Sequence, residues 1–203
     1  MKDYFFSIDK KGEGIYKEKG SKFLSFCYPV SNSSEIDHHL EDLRKTFHDA
    51  RHHCYAWVLG EDQQHTRAND DGEPSHSAGD PILGQIRAHN LTNTLVVVIR
   101  YFGGTKLGVG GLIQAYKIAA DQTLNSVGTR KHLIEKEFII KYTYDQTSTV
   151  LRWVNESGSR IIKQDFTENC SLRLGILRSK VKYETERLRD LEQRNIILSL
   201  HIK

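Results

Sequence analysis

The sequence predicts an α+β protein of two domains, and three observations carry that expectation. The chain has 203 residues, which at roughly 100–200 residues per domain allows one large domain or two small ones. One apolar strand, Thr94 to Phe102, runs into five glycines within 103–111 and then into a helix, the pattern of a first core. After Gly128 the pattern becomes strand, helix, strand, strand, helix, strand, which is the ferredoxin-like order. The domains are placed at 1–130 and 131–203.

The elements follow from hydrophobic spacing. Residues 14–30 read as one or two strands with a turn at Lys19-Gly20. Ser33 and Ser34 are candidate N-caps. Behind them Ile36, Leu40, Leu43 and Phe47 fall on one helical face. Residues 51–59 (RHHCYAWVL) are rich in aromatic and β-branched types and suit a strand. The polar stretch from Gly60 to about Gly79 has no apolar pattern and reads as a long loop. Asp80-Pro81 offers an N-cap and a first turn for a short helix that ends near Asn90. Thr94 to Phe102 is apolar enough to be central and buried on both faces. A helix from about Leu112 to Val127 stops at Gly128. TRKHLIEKE then reads as a charged joint. Beyond it lie strands at 137–144, 159–168, 170–177 and 195–202 and helices at 147–157 and 179–193.

Composition excludes several classes. Lys and Arg total 29 against 26 Asp and Glu, too even for a histone-like arm or an acidic tail. Residues 1–130 hold 15 cations and 16 anions, net −1; residues 131–203 hold 14 and 10, net +4. The surplus therefore sits in the second domain, where Glu184 with Arg187 and Glu186 with Arg189 also fit a solvated helix surface. No apolar run approaches the ~18–20 residues of a membrane-spanning helix. The start, MKDYFFSIDKKGEG, lacks the features of a signal peptide. Cys27, Cys54 and Cys170 stand far apart with no CxxC, against a disulfide framework or zinc ribbon. A reduced, cytoplasmic, monomeric protein is expected.

Three constellations carry possible chemistry. The first is RYFGGTKLGVGG, Arg100 to Gly111, between a buried strand and a helix. Glycines there let backbone approach a ligand, and free N–H groups at a helix start favour an anion. Neither GxxxxGK[ST] nor GxGxxG is matched, because Val109 and Ile113 stand where those patterns need other residues. Glycines that only make tight turns and close packing are the alternative. The second is NDDGEPSHSAGDP, with Asp70, Asp71, Glu73 and His76. It suits a metal or a general base by composition, but Asp-Gly, Glu-Pro and Gly-Asp-Pro are ordinary turn chemistry, and Ser75 lacks a GxSxG context. Arg100 ends an apolar strand and needs a carboxylate or a phosphate; the loop acids are its obvious partners. The third is ten histidines, eight of them between His38 and His89. His52 and His53 point to opposite faces of a strand and do not chelate as a pair. No catalytic residue, metal or cofactor is expected from these patterns.

The run GDPILGQIRAHNLTNTLVVVIRYFGGTKLG, with HHCYAW and NDDGEPSHSAG, resembles the Impact family, most strongly over residues 14–128. The resemblance implies that the first domain shares the second-domain fold of a small-subunit ribosomal protein, a mixed sheet with helices on one face. It implies a ferredoxin-like second domain similar to an elongation-factor module, as in the family's bacterial branch. The family's shared positions fall here on His53, Cys54, Tyr55, Asp70, Asp71, Gly72, Glu73, Pro74, Arg100, Tyr101, Gly103, Gly104, Gly108, Gly110 and Gly111. His76-Ser77 stands where family members often place Gly-Thr. The expected ligand or partner surface comprises His53, Tyr55, Asp70, Asp71, Glu73, His76, Arg100, Tyr101, Phe102, Gly103, Gly104, Lys106, Gly108, Gly110 and Gly111. Tyr101 and Phe102 would stack on bases if exposed. The function implied is a non-catalytic, translation-linked binding protein whose partner is RNA, the ribosome or a translation-associated protein, with no membrane partner. An enzyme acting on a phosphate-bearing small molecule and a pure protein-interaction module remain as alternatives.

Overall fold

Leu95, Val96, Val97, Val98 and Ile99 are all fully buried, and the architecture of the N-terminal unit follows from them. They form β6 (Thr94–Tyr101) in a computed structural model that describes residues 2–166 and 170–203. Around it lie β2 (Gly12–Glu18), β3 (Ser21–Pro29), β4 (His52–Leu59) and β5 (His65–Asn69), in the sheet order β2-β3-β6-β4-β5. Every neighbouring pair is antiparallel. Val96 and Val98 share one core with Ile82 and Ile86 of α2 (Gly79–Ala88) and with Leu112, Tyr116 and Leu124 of α3 (Gly108–Ser126). Leu95, Val97 and Ile99 share another with Ile36, Leu40 and Leu43 of α1 (Ser33–Thr46). The expected mixed sheet with helices on one face is thus corrected to an antiparallel sheet with helices on both. Side chains alternate across a strand, so a central strand apolar at every position needs cover on both sides.

Several local expectations change as well. β5 occupies the expected loop; His-Thr-Arg-Ala-Asn is a polar edge strand with no apolar alternation to reveal it. β1 (Tyr4–Ile8) pairs with β7 (Thr129–Leu133), which lies in the expected charged joint. There Phe5 stacks on His132 at 4.8 Å, and the His132 ring meets the Ser7 hydroxyl at 2.8 Å. Asn32, not Ser33 or Ser34, caps α1, its Oδ1 accepting from the Glu35 N–H at 3.0 Å. α3 begins at Gly108 rather than near Leu112, so three of the glycines lie in its first turn.

The chain divides into two units, Phe5–His132, and Leu133–Lys203 with the residues up to Tyr4. The second holds β8 (Glu135–Tyr142), α4 (Thr147–Ser157), β9 (Arg160–Phe166), β10 (Cys170–Leu177), α5 (Val181–Gln193) and β11 (Ser199–Ile202). Its antiparallel sheet runs β11-β8-β10-β9. Residues 167 and 168 of the expected strand at 159–168 lie outside the described residues. Phe138, Ile140, Trp153, Leu172, Leu174 and Leu188 make its core. Glu184 is buried rather than solvated, accepting from Trp153 Nε1 at 2.9 Å and pairing with Arg187 at 3.3 Å. Among the described residues no helix is long and apolar enough to cross a membrane.

Candidate functional site

Strand register brings the singled-out segments to one end of the N-terminal sheet. His52 pairs with Arg100 across β4 and β6, and Lys22 pairs with Tyr101 across β3 and β6. The loop from Asp70 to Ala78 folds beside this end and is held by its own acids. Asp70 accepts from the backbone N–H groups of His76 (2.8 Å), Ala78 (2.9 Å) and Gly79 (2.8 Å). It therefore caps α2 from a distance, and the expected cap at Asp80 is replaced by it. Asp71 Oδ2 accepts from the His53 N–H at 2.6 Å, and the Asp71 carbonyl meets His52 Nδ1 at 2.9 Å. Glu73 Oε1 accepts from Arg100 Nη1 at 2.7 Å and from the Tyr116 hydroxyl at 2.8 Å. Cys54 Sγ lies 3.3 Å from that hydroxyl and 3.0 Å from the Asp70 carbonyl.

Burial sets the electrostatics of this cluster. Both charged partners of the Arg100–Glu73 pair are buried, with side chains 8% and 4% exposed. The Arg100 guanidinium also lies 5.6 Å from the Phe23 ring centroid and 5.7 Å from that of Phe102. Burial pushes the Cys54 thiol and the Tyr116 hydroxyl well above their ordinary ranges, so neither is a ready nucleophile. Burial likewise holds the His53 imidazole below its usual value, against the pull of Asp71. His53 and Tyr55 are buried, Tyr55 in the core beneath α1. The expected surface is corrected accordingly: His53 and Tyr55 and the side chains of Arg100 and Glu73 are buried and are not part of an exposed face. Cys54 and His52 turn to Asp70 and Asp71 carbonyls, and among the described residues no three His, Cys, Asp or Glu side chains are grouped to hold a metal.

What remains exposed is different in kind. Phe102 is 59% exposed. It lines a cavity of about 400 Å³ with Asp49, Ala50, Arg51, His52, Arg100 and Tyr101. The Tyr101 hydroxyl donates to Asp49 Oδ1 at 2.6 Å, which lowers the Asp49 carboxyl from its ordinary value and raises the phenol. His76 is exposed, with Nδ1 2.6 Å from Asp80 Oδ2, and its φ is +63°. The resemblance places glycine at this position, and a left-handed backbone is its reason. Lys106, Gly104, Gly108 and Gly110 are exposed, Gly111 partly so. A Cβ added at Gly104, Gly108 or Gly110 would meet nothing. No side chain caps α3. Gly103 is the exception, packed on the backbone of Gly20.

Sequence reading missed Tyr116, Asp49 and Arg51. Tyr116 has the spacing of a core position on α3, which conceals its hydroxyl's role. Asp49 and Arg51 lie between α1 and β4, where no motif marks them.

Asp70 gives a pH test. Burial alone would raise its carboxyl, but the three backbone donors outweigh it and hold the group below its ordinary value. A depressed native value contributes stability above the unfolded value of about 3.9, lost as pH falls through the native one. Asp70→Asn cannot titrate. The stability gap between it and the native chain, followed by urea midpoints, is expected to shrink as pH falls from about 5 to about 2. A gap that stays constant would mean that the charged carboxylate is not what holds the α2 cap.

Comparisons with known proteins agree on one grouping. The model of the Impact N-terminal domain matches residues 19–124. The chain is 31% identical over 182 residues to the IMPACT family member YigZ of Escherichia coli, covering 89% of each. It is 33% identical over 165 residues to the IMPACT family member YvyE of Bacillus subtilis, covering 81% of this chain and 76% of that protein. A crystal structure of a hypothetical protein, 28% identical, superposes with a TM-score of 0.67 over 100% of this chain and 97% of the other.

Proposed function

The chain belongs to the Impact family, and on that premise we propose that it is a non-catalytic, translation-linked protein that binds RNA or ribosomal particles. The contact is made by the end of the N-terminal sheet that carries the Asp70–Glu73 loop and the Arg100–Gly111 segment. One observation carries this reading, a division of labour between charges. Asp70, Asp71 and Glu73 each accept hydrogen bonds from the protein itself. Among the described residues Lys22, Arg51 and Lys106 form no ion pair, and Phe102 stands exposed beside the cavity. Free cations with an exposed ring suit phosphate and base, and the uncapped start of α3 adds N–H donors for an anion.

The domain assignment belongs to the same proposal. An Impact-type domain occupies 1–130 and a ferredoxin-like module similar to that of an elongation factor occupies 131–203. The element order and the β11-β8-β10-β9 sheet support the second assignment. The chain is read as acting in the cytoplasm.

Fluorescence anisotropy with a labelled single-stranded oligoribonucleotide tests the reading. Binding is expected to weaken steeply with salt. Phe102→Ala is expected to weaken it about tenfold, the cost of one lost base stack, and Arg51→Glu or Lys106→Glu to reduce the salt slope. Capture of partners from lysate that survives ribonuclease, with no RNA binding at low salt, would sink the nucleic-acid version and leave a protein partner.

A further inference from the structure

We infer that β2 is a self-complementary edge through which two copies of this chain pair, antiparallel, into one continuous sheet. Among the described residues β2 pairs only with β3, so its other side is an open edge. Natural edges are blunted by prolines, bulges, shortness or badly placed charges. β2 has seven residues, no proline and an unbroken register from Gly12 to Glu18.

Its charges are placed to attract a second copy. Ile15 is the middle residue of Gly-Glu-Gly-Ile-Tyr-Lys-Glu. A two-fold axis through Ile15 sets it against Ile15 of the other copy, and Glu13 against Lys17 twice over. All three side chains are exposed and share one face, while Gly12, Gly14 and Tyr16 face the other, where Gly12 and Gly14 lie close to Val127 and Thr123. Among the described residues Glu13 and Lys17 form no ion pair, and Ile15 is 53% exposed. Ile15 and Glu13 also border a hollow of about 350 Å³ floored by Leu24 and Phe26. The second copy's Ile15 would pack against the free side of Ile15, away from this hollow. Lys11 and Lys19 fall outside the paired stretch, and the chain turns away at Lys19, whose φ is +45°.

The same operation fails at the other long edges. On β5 it sets Arg67 against Arg67, and on β9 it sets Lys163 against Lys163. β9 also carries a register shift against Arg173 and Leu174. Like charges directly opposed destabilise a strand pair, and opposite charges stabilise it. The pairing departs from the monomer expected from sequence and does not depend on the RNA reading. A seven-residue edge buries less than the ~800 Å² per partner of a standard interface, so the dimer is concentration-dependent.

Sedimentation velocity on the full chain from about 1 μM to about 1 mM spans the range of such weak contacts. The native chain is expected to dimerise within it. Glu13→Lys alone and Lys17→Glu alone each convert two attractions into two repulsions and are expected to weaken dimerisation at least about tenfold. Glu13→Lys combined with Lys17→Glu restores the complementarity and is expected to restore the dimer. Both positions are exposed, so an unchanged thermal midpoint at low concentration checks the fold of each variant. A native chain monomeric throughout, single variants that dimerise like the native chain, or a double variant that fails to recover would each overturn the inference.

Discussion

Replacing Gly103 with alanine is expected to cost roughly 3 kcal/mol or more of stability in the N-terminal unit. An added Cβ would fall under 3.0 Å from Gly20 C, Gly20 O and Ser21 N, all of them backbone atoms. No side chain can rotate to make room. Gly20 sits in the β2–β3 turn with φ +80°, and the Gly103 N–H donates to Ser21 Oγ at 3.2 Å. Relief requires the end of β6 to leave the start of β3, beside the Lys22–Tyr101 and Phe23–Arg100 pairs. Two neighbouring glycines calibrate the result. Gly104→Ala meets open space but keeps φ +87°, so about 1 kcal/mol is expected from backbone strain alone. Gly110→Ala lies in α3 with nothing near its Cβ. There it is expected to stabilise by up to about 1 kcal/mol. Urea midpoints for the three rank them. If G110A is more stable but binds RNA less well, the glycine serves the ligand rather than the fold. An unchanged midpoint for Gly103→Ala would mean that the turn and the strand end do not pack as closely as described.

The difference between Gly103 and Gly110 shows where sequence reading stops. Both sit in one glycine-dense stretch, and nothing local separates a glycine against backbone from one facing open space. Long-range pairing separates them. The same holds for the sheet. The unbroken apolar run of β6 marked it as central and buried on both faces. That requirement already argued for helices on both sides, against the arrangement the family resemblance implied. β10 and α4 lie where their periodicity put them, because each presents one strong apolar face. β5 and β7 escaped notice because His-Thr-Arg-Ala-Asn and Thr-Arg-Lys-His-Leu carry no alternation. β1 and β7 find each other from opposite ends of the N-terminal unit, and β5 folds back on β4 as a hairpin whose turn carries no apolar signal. In the site, the type of each residue was legible and its allegiance was not. Asp70 looks like a candidate metal ligand or base, yet three backbone N–H groups occupy it. Arg51 has no motif around it, yet it lines the cavity under Phe102.

Arg100→Ala is expected to lower stability by about 3–5 kcal/mol, because it leaves the Glu73 carboxylate buried without its counter-charge, accepting from the Tyr116 hydroxyl. Glu73→Gln is expected to be costly for the converse reason. It leaves the guanidinium with two aromatic rings and no counter-charge, and its Nε already has no partner. Most of either loss comes from an orphaned charge rather than from the net worth of the pair. The double variant Arg100→Met with Glu73→Gln is therefore expected to recover a large part of the sum, and a double-mutant cycle in urea measures that coupling. If the losses simply add, the pair does not hold the loop on β6. The outcome also decides how binding data are read. A chain weakened at Arg100 loses the position of the whole Asp70–Glu73 loop, so lost RNA binding there would not identify a phosphate contact. Arg51 and Phe102 are exposed, and the Phe102 ring touches the protein's charges only at the Arg100 guanidinium among the described residues. Loss of binding in their variants at unchanged stability is the result that assigns the ligand to the cavity.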